Sequence, residues 1–305
     1  MKKQRLSYIL FLIGLTIFLY PKATSVSNYF YNKIQIDKYN RAISAITVEK
    51  VEENLQELQN NNDELSKNTE KYIDPFIGGV RLEPSKIKTV NQDGILGYLE
   101  IPKIKEMLPI YLGATNANLA KGVAQIEKTS LPVGGVGTHC VIAGHRGYSY
   151  MSVFRYLDEL EAGDRFYIHV YEKILTYEVT GQEVIKPNQT EKLDIDPEKD
   201  QVTLLTCTPY RVSTHRLLIH SERVQSDING AQTSITDAFQ TSSYSTGEKG
   251  ATESQISAKS NYVDEISLEA RNHNYMIYAI VGFGSLLWIF VFVILIKTFR
   301  KKLKQ

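Results

Sequence analysis

Short runs of strand-forming residues recur between residues 95 and 220, and they constrain the fold more than any other feature of the chain. Runs of this kind, separated by Gly and Pro, are typical of β-strands joined by turns. Regularly spaced short strands favour a β-barrel or a β-sandwich. The predicted strands are residues 97–101, 108–112, 137–143, 165–170, 174–179, 202–206 and 217–220.

Helical patterns precede and interrupt these strands. Apolar residues recur every three or four positions across residues 36–46 and again across 51–58, which predicts two short amphipathic helices. Thr47 is a candidate N-cap for the second helix, and the polar stretch 60–63 is expected to end it. The spacing of apolar residues across 153–160 predicts a further helix, ended by Gly163.

Two segments lack a periodic pattern. Residues 66–93 are punctuated by Gly, Pro and Asn and are expected to be irregular. Residues 225–260 are rich in Ser, Thr, Gln and Gly, and such a segment buries too little apolar surface to offset its ordering entropy. We therefore predict a flexible polar tether there.

The C-terminal region contains a 22-residue run without a charge, residues 275–296. As a helix it would span about 33 Å, which is enough to cross a hydrocarbon core of ~30 Å. A buried helix is the alternative, but such a helix would rarely lack every charge. Lys and Arg residues follow at once, which places this end in the cytoplasm by the positive-inside rule.

The N-terminus has the features of an export signal. Lys2, Lys3 and Arg5 precede an apolar run over residues 8–20, as in a signal sequence. Cleavage near Ala23 would leave the C-terminal helix as the only anchor. Retention as a signal anchor, with a helix continuing through Pro21, would put both termini in the cytoplasm and the intervening domain outside the cell.

Composition and motifs limit the partners and cofactors that the chain can be expected to bind. A formal charge of +1 and a hydrophobic content of 43% are ordinary for a globular chain and give no reason to expect nucleic acid. Zinc-ligand spacings, a P-loop and a dinucleotide-binding glycine motif are absent from the sequence. We therefore expect no metal and no cofactor.

Three chemically active side chains lie at the edges of predicted strands. Cys207 closes one such run in T-L-L-T-C-T-P-Y, Arg216 begins the next, and His145 follows a third in A-G-H-R-G. A thiolate can attack a carbonyl, an imidazole can transfer the protons, and a guanidinium can stabilise the oxyanion or the substrate. This combination predicts acyl transfer through a thioester.

His145 is the best partner for the thiol because Gly144 and Gly147 leave it in an open loop. Cys140 lies inside a strand-like run, where a small buried thiol fits, and a disulfide with Cys207 would remove the nucleophile. We expect both cysteines to be free thiols. The remaining histidines carry less supporting context: His139, a candidate buried barrel residue, His215, expected to face away from Arg216, and His169, His220 and His273.

These motifs resemble those of the sortases, the cysteine transpeptidases of Gram-positive cell surfaces. The likeness covers roughly residues 30–225, and T-L-L-T-C-T-P-Y followed by T-H-R-L is most similar to class C, the pilin-polymerising sortases. Two positions depart from that class: Arg211 and Ser213 stand where Gly and Asn are frequent. The resemblance implies a mainly β fold, a closed sortase-type β-barrel with short helices.

Asp74-Pro75-Phe76, just upstream of the first predicted strand, is similar to the D-P-F/W element of the lid that covers the active site in class C sortases. A simple turn is the alternative for these three residues, which we call the lid tripeptide. If they occupy the cleft, Asp74 is expected to pair with Arg216, Phe76 to cover the Cys207 sulfur, and the pair at 78–79 to serve as a hinge.

The resemblance assigns Cys207 as nucleophile, His145 as general acid and base, and Arg216 as stabiliser of the oxyanion or substrate. It implies cleavage of an LPxTG-like sorting signal between Thr and Gly, and transfer of the Thr to a lysine of another pilin subunit. A housekeeping sortase that anchors proteins to peptidoglycan precursor is the nearest alternative. A papain-type protease and a non-enzymatic surface scaffold or adhesin are more distant ones.

The predicted organisation has seven parts along the chain. They are an N-terminal membrane segment (1–30), amphipathic helices (31–70), a lid segment (71–93), the catalytic barrel (94–225), a polar tether (226–272), a transmembrane helix (273–297) and a basic cytoplasmic tail (298–305).

Overall fold

The computed structural model describes residues 2–67, 72–77, 87–91, 93–147, 153–224, 282–294 and 296–297. Several predicted features therefore lie wholly or partly outside the described residues. They are the hinge at 78–79, much of the lid segment, the polar tether, the basic tail, His273 and the first part of the predicted transmembrane helix.

Eight strands close into a barrel in the order β1-β2-β3-β4-β7-β8-β6-β5. Neighbours are antiparallel except for β2 with β3 and β4 with β7, which are parallel. The strands are β1 (Ile95–Ile101), β2 (Glu106–Leu112), β3 (Val123–Gln125), β4 (Thr138–Ala143), β5 (Arg165–Val170), β6 (Lys173–Ile185), β7 (Asp200–Thr208) and β8 (His215–Arg223). The barrel alternative of the sequence analysis is thus confirmed, and the sandwich is excluded.

The barrel is filled by apolar side chains, as a small closed barrel requires. Leu99, Ile110, Ile168, Leu204 and Ile219 are fully buried. All six residues of β4 and six consecutive residues of β7 are buried, so both faces of these two strands are covered. Such burial within a closed sheet fixes the register of each strand, so the positions at the strand ends are fixed as well.

Helices α1 (Lys2–Ser44) and α2 (Val48–Leu65) precede the barrel. Short helical turns connect the strands: Pro102–Ile104, α3 (Asn116–Leu119), Leu157–Glu159 and Thr190–Leu193. The Tyr39 hydroxyl joins the C-terminal part of α1 to the barrel, since it donates to Leu96 O at 3.0 Å and accepts from Tyr171 N–H at 2.7 Å.

Three helix predictions need correction. The first amphipathic helix is only the end of the longer α1, which runs without a break through position 21. The Thr47 cap is confirmed, since its side chain accepts from Lys50 N–H, but α2 continues through 60–63 to Leu65. There the buried Asn62 amide donates to Leu131 O at 3.1 Å and accepts from Leu131 N–H at 2.7 Å. This tertiary pairing overrides the weak helix propensity of Asn.

The third correction concerns the helix predicted across residues 153–160. The described residues form turns and one short 3₁₀ helix, Leu157–Glu159. Val153, Phe154, Leu157 and Leu160 are nevertheless all buried. Their spacing reflects packing against the barrel and not a continuous α-helix.

Two strand predictions were also incomplete. β3 was missed because it has only three residues, too few for an alternating pattern. β6 runs to Ile185, past the predicted end at 179, because it keeps pairing with β8 after a register shift between Val179 and Gly181.

The chain divides into two units, Met1–Tyr31 with Gly247–Gln305, and Asn32–Thr246, which contains the barrel. None of the described helices combines the length and the apolar content needed to cross a membrane.

Candidate active site

The thiol and the guanidinium face each other across an antiparallel strand pair. Cys207, near the end of β7, is the register partner of Arg216, near the start of β8. Side chains at directly paired positions lie on the same face of a sheet and are close enough to interact. The sequence separation of nine residues is thus spanned by the β7–β8 turn.

His145 reaches the same end of the barrel through the parallel pairing of β4 and β7. Ala143 pairs with Leu205, and the Gly144 N–H continues the ladder with a 3.0 Å bond to Leu205 O. His145 follows two residues after the end of β4, and Cys207 follows two residues after Leu205 in β7. The three residues that the sequence analysis selected therefore meet at one rim.

Gly144 is required for that path of the chain. A Cβ atom there would lie 2.7 Å from a ring carbon of Phe154 and 3.0 Å from a methyl carbon of Val123. Any larger residue would push the His145 loop away from the barrel end.

The lid tripeptide lies directly on these residues. Asp74 accepts two hydrogen bonds from Arg216, from Nε at 2.6 Å and from Nη2 at 3.2 Å. The side chains are only 2% and 4% exposed. The expected pairing of Asp74 with Arg216 is confirmed, and it is a buried, bidentate pair.

The remaining lid contacts are local and aromatic. Asp74 Oδ1 also accepts from the Phe76 N–H at 2.8 Å, which closes a tight turn across Pro75. The Phe76 ring lies 5.3 Å from the His145 ring, centroid to centroid, and the Arg216 Cζ lies 5.4 Å from the Phe76 ring centroid. Phe76 therefore contacts two of the three selected residues, while its predicted contact with the Cys207 sulfur stays a prediction.

Arg216 is fixed from its other side by the β7–β8 turn. Its Nη1 donates to Ser213 O at 3.1 Å and to His215 O at 3.0 Å. Asp74 occupies the Nε and Nη2 edge of the guanidinium, so its donors are engaged on both sides.

Burial and charge set the protonation states of the closed site. Burial raises the pKa of the Cys207 thiol and Asp74 raises it further, while Arg216 and a hydrogen bond from the Ser213 side chain lower it. Burial lowers the pKa of His145. With the lid tripeptide in place, the environment thus favours a neutral thiol beside a neutral imidazole.

The two positions that depart from class C have unusual backbone conformations. Arg211 has φ 65° and Ser213 has φ 61°, in the left-handed region that Gly and Asn tolerate best. The frequent Gly and Asn of that class thus have a conformational explanation. The influence of the Ser213 side chain on the Cys207 thiol, whose pKa it lowers, was missed from the sequence, because nothing in the local pattern places a hydroxyl near the thiol.

Cys140 and His139 lie within β4, away from this rim. Both cysteines are free, as expected. His139 is a buried barrel residue, with Nδ1 near Asp194 O at 3.0 Å and Nε2 near Thr203 Oγ1 at 2.8 Å. Within the described ranges, no group of three or more His, Cys, Asp and Glu side chains is arranged to hold a metal ion.

The chain is similar to known proteins in both sequence and fold. The family model of the sortase domain matches residues 99–224. Sortase A of Streptococcus agalactiae serotype III (strain NEM316) is 29% identical over 150 residues, which are 48% of this chain and 60% of that relative. The chain thus spans less than two thirds of the length of this curated relative.

Among solved structures, Streptococcus pneumoniae sortase C is 35% identical, with a TM-score of 0.58, over 62% of this chain and 95% of that one. Sortase C1 of GBS Pilus Island 1 is 34% identical, also with a TM-score of 0.58, over 63% of this chain and 92% of that one.

Proposed function

The chain belongs to the sortase family of cysteine transpeptidases, with class C sortases among its structural neighbours, and on that premise we propose that it polymerises pilins. Its substrate would be a pilin with an LPxTG-like sorting signal, and its acceptor a lysine of a second pilin subunit. The neighbours support this substrate class: the pneumococcal structure bears on pilin substrate specificity, and the GBS enzyme comes from a pilus island.

In the first half-reaction, the Cys207 sulfur bonds to the Thr carbonyl carbon and the Thr–Gly amide bond breaks. His145 takes the proton of the Cys207 thiol and gives it to the leaving amine. In the second, the lysine amine bonds to the same carbon, the C–S bond breaks, and His145 takes a proton from the amine and returns it to the Cys207 sulfur. The thioester conserves the energy of the cleaved bond, so the reaction needs no nucleotide.

Arg216 is proposed to stabilise the oxyanion or the substrate through Nε and Nη2. Its other terminal nitrogen is held by two carbonyls, so the guanidinium plane is fixed before substrate arrives. A donor that is oriented in advance pays no reorganisation cost when charge develops.

One observation carries the class C assignment: the buried pair between Asp74 of the lid tripeptide and Arg216. The tripeptide occupies the substrate-facing donors, so substrate has to displace it. Opening would return both charged groups to water together, and their hydration would offset much of the attraction that is lost when the pair separates. The closed site would then be a resting state that opens by thermal motion.

We also propose that the chain is tethered to the cell membrane with its catalytic domain outside. The uncharged run at 275–296 and the basic residues after it support this. The exposed apolar side chains at both ends of the chain also support a membrane tether, because soluble proteins rarely expose many apolar side chains close together. They include Leu10, Ile17, Phe18, Phe283 and Leu286.

The test has two stages. The full-length chain is mixed with a sorting-signal peptide and hydroxylamine, and the Thr-hydroxamate is measured by mass spectrometry, with Cys207→Ala as control. Hydroxylamine is then replaced by a lysine-bearing pilin domain or by lipid-linked peptidoglycan precursor. Isopeptide product with the pilin supports the proposal, product with the precursor alone indicates a housekeeping sortase, and no hydroxamate refutes transpeptidation of this signal.

A further inference from the structure

The residues on either side of Cys207 are bonded to the residues on either side of His145. Thr206 Oγ1 donates to Gly144 O at 2.7 Å. Arg146 Nη1 donates to Thr208 Oγ1 at 3.0 Å. The triplets 206–208 and 144–146 are therefore joined before and after the proposed nucleophile and base.

The first of these two hydrogen bonds is buried, and its acceptor is a backbone carbonyl. Thr206 is fully buried, and the Gly144 N–H also bonds to Leu205 O. The position of Gly144 is thus fixed at both its N–H and its carbonyl, as part of the barrel wall.

The second hydrogen bond depends on the Arg146 side chain, which crosses between loops. Besides Thr208, Arg146 contacts Asp158 through Nη2 at 2.6 Å and Arg155 O through Nε at 3.4 Å. Its side chain is only 12% exposed. A planar guanidinium can hold partners in three directions at once, which an amine on a flexible stem cannot do.

We infer that Arg146 and Thr208 are positioning residues that hold His145 against Cys207. The hydrogen bond between Thr206 and Gly144 fixes the end of the His145 loop that adjoins the barrel. The hydrogen bond between Arg146 and Thr208 fixes the end that faces solvent. Without the hydrogen bond from Arg146 to Thr208, the His145 loop would be bonded to β7 at one end only. The inference rests on the proposed roles of Cys207 and His145.

The physical reason is the narrow range of proton transfer. A base has to lie within about 3 Å of the atom it serves, and a misplacement of 1 Å can lower the rate by ~10²-fold. Substrate contacts are not altered directly, so the loss is expected in kcat and much less in KM.

The test uses the full-length chain in the hydroxamate assay. We expect Arg146→Gln to lower kcat by about 10- to 100-fold with KM changed less than about threefold. Thr208→Val, which removes the hydroxyl but keeps the shape, is expected to lower kcat by several-fold, and Thr208→Ser to restore it. The double variant should be no slower than Arg146→Gln alone, because the contact that Thr208→Val removes is already lost in Arg146→Gln.

Arg165→Gln is the matched control, since Arg165 forms an exposed pair with Glu178 on the barrel wall, at 3.0 Å. It should leave kcat unchanged. Thermal unfolding of every variant shows whether the fold is kept, and if Arg146→Gln does not fold, the comparison of Thr208→Val with Thr208→Ser decides.

Wild-type kcat in both Arg146→Gln and Thr208→Val, or losses that multiply in the double variant, would overturn the inference. So would a Thr208→Ser variant as slow as Thr208→Val. An inactive wild type would instead refute the proposed function, so the two failures are distinguishable.

Discussion

Cys140 and Cys207 lie on neighbouring parallel strands, β4 and β7, and both are buried free thiols, 3% and 8% exposed. Cys140 is in the middle of its strand, opposite Val202. Cys207 is one residue from the end of its strand, opposite Arg216. The two sites therefore share a residue type, a barrel wall and a similar exposure.

Their electrostatic surroundings differ. Burial raises the pKa of the Cys140 thiol far above its usual range, and the nearby Asp200 raises it further. At Cys207 the rise from burial is opposed by Arg216 and by the Ser213 hydrogen bond. Position at a strand end, with a cation across the strand pair, thus distinguishes a candidate nucleophile from a packing residue.

The largest expected difference comes from replacing each cysteine. Cys207→Ala should abolish hydroxamate formation, whereas Cys140→Ala should keep it and lose about 1 kcal/mol of stability, as is common for a small buried deletion. Hydroxamate yield and urea unfolding measure both effects. An active Cys207→Ala variant, or a folded but inactive Cys140→Ala variant, would reverse the assignment.

Arg216→Lys tests the cation that distinguishes the two thiols. Lysine keeps the charge but cannot donate along two parallel directions, and loss of one oxyanion donor typically lowers the rate by ~10²–10³-fold. We expect a fall of that size in kcat/KM for the sorting-signal peptide. Turnover close to wild type would reduce Arg216 to a structural charge.

The lid tripeptide can be removed with Asp74→Ala and Phe76→Ala together. Alkylation of Cys207 should become about tenfold faster or more, since one aromatic contact is worth ~1 kcal/mol and the ion pair adds to it. Loss of the Asp74 charge also lowers the pKa of Cys207, so the alkylation profile should move to lower pH.

Cys140 serves as the internal control, because its alkylation should stay slow in both proteins. The double variant should remain active and accept a wider range of amines. Equal Cys207 alkylation rates in wild type and double variant would mean that residues 74–76 form an ordinary turn.

The smallest effect concerns the β7–β8 turn. Ser213→Gly removes a side chain from a left-handed position, and the relief should exceed the entropic cost of Gly by about 0.5 kcal/mol. The same change removes a hydrogen bond that lowers the pKa of Cys207, so alkylation should shift to higher pH. Stability and thiol reactivity should thus move in opposite directions, and a parallel change in both would contradict this reading.

The sequence was sufficient for residues whose motifs coincide with strand ends. Cys207 and Arg216 each adjoin an apolar, strand-like run, and the rigid barrel brings those ends together. The Asp74 pairing was also expected, because the lid tripeptide offers a carboxylate to the Arg216 guanidinium.

Features that depend on tertiary contacts were not predictable. Asn62 continues α2 because it pairs with Leu131, which is 69 residues away. β3 is too short to show a period. The bond from Arg146 to Thr208 joins two motifs across 62 residues, and neither motif alone reveals its partner.

The most direct test of the account is to locate the acyl group. The full-length chain is incubated briefly with a sorting-signal peptide, quenched in acid, digested and mapped by mass spectrometry. If Cys207 is the nucleophile, the fragment that contains Cys207 gains the mass of the peptide up to its Thr, and the fragment that contains Cys140 gains none. Acylation of Cys140, or cleavage of the peptide with neither cysteine acylated, would contradict it.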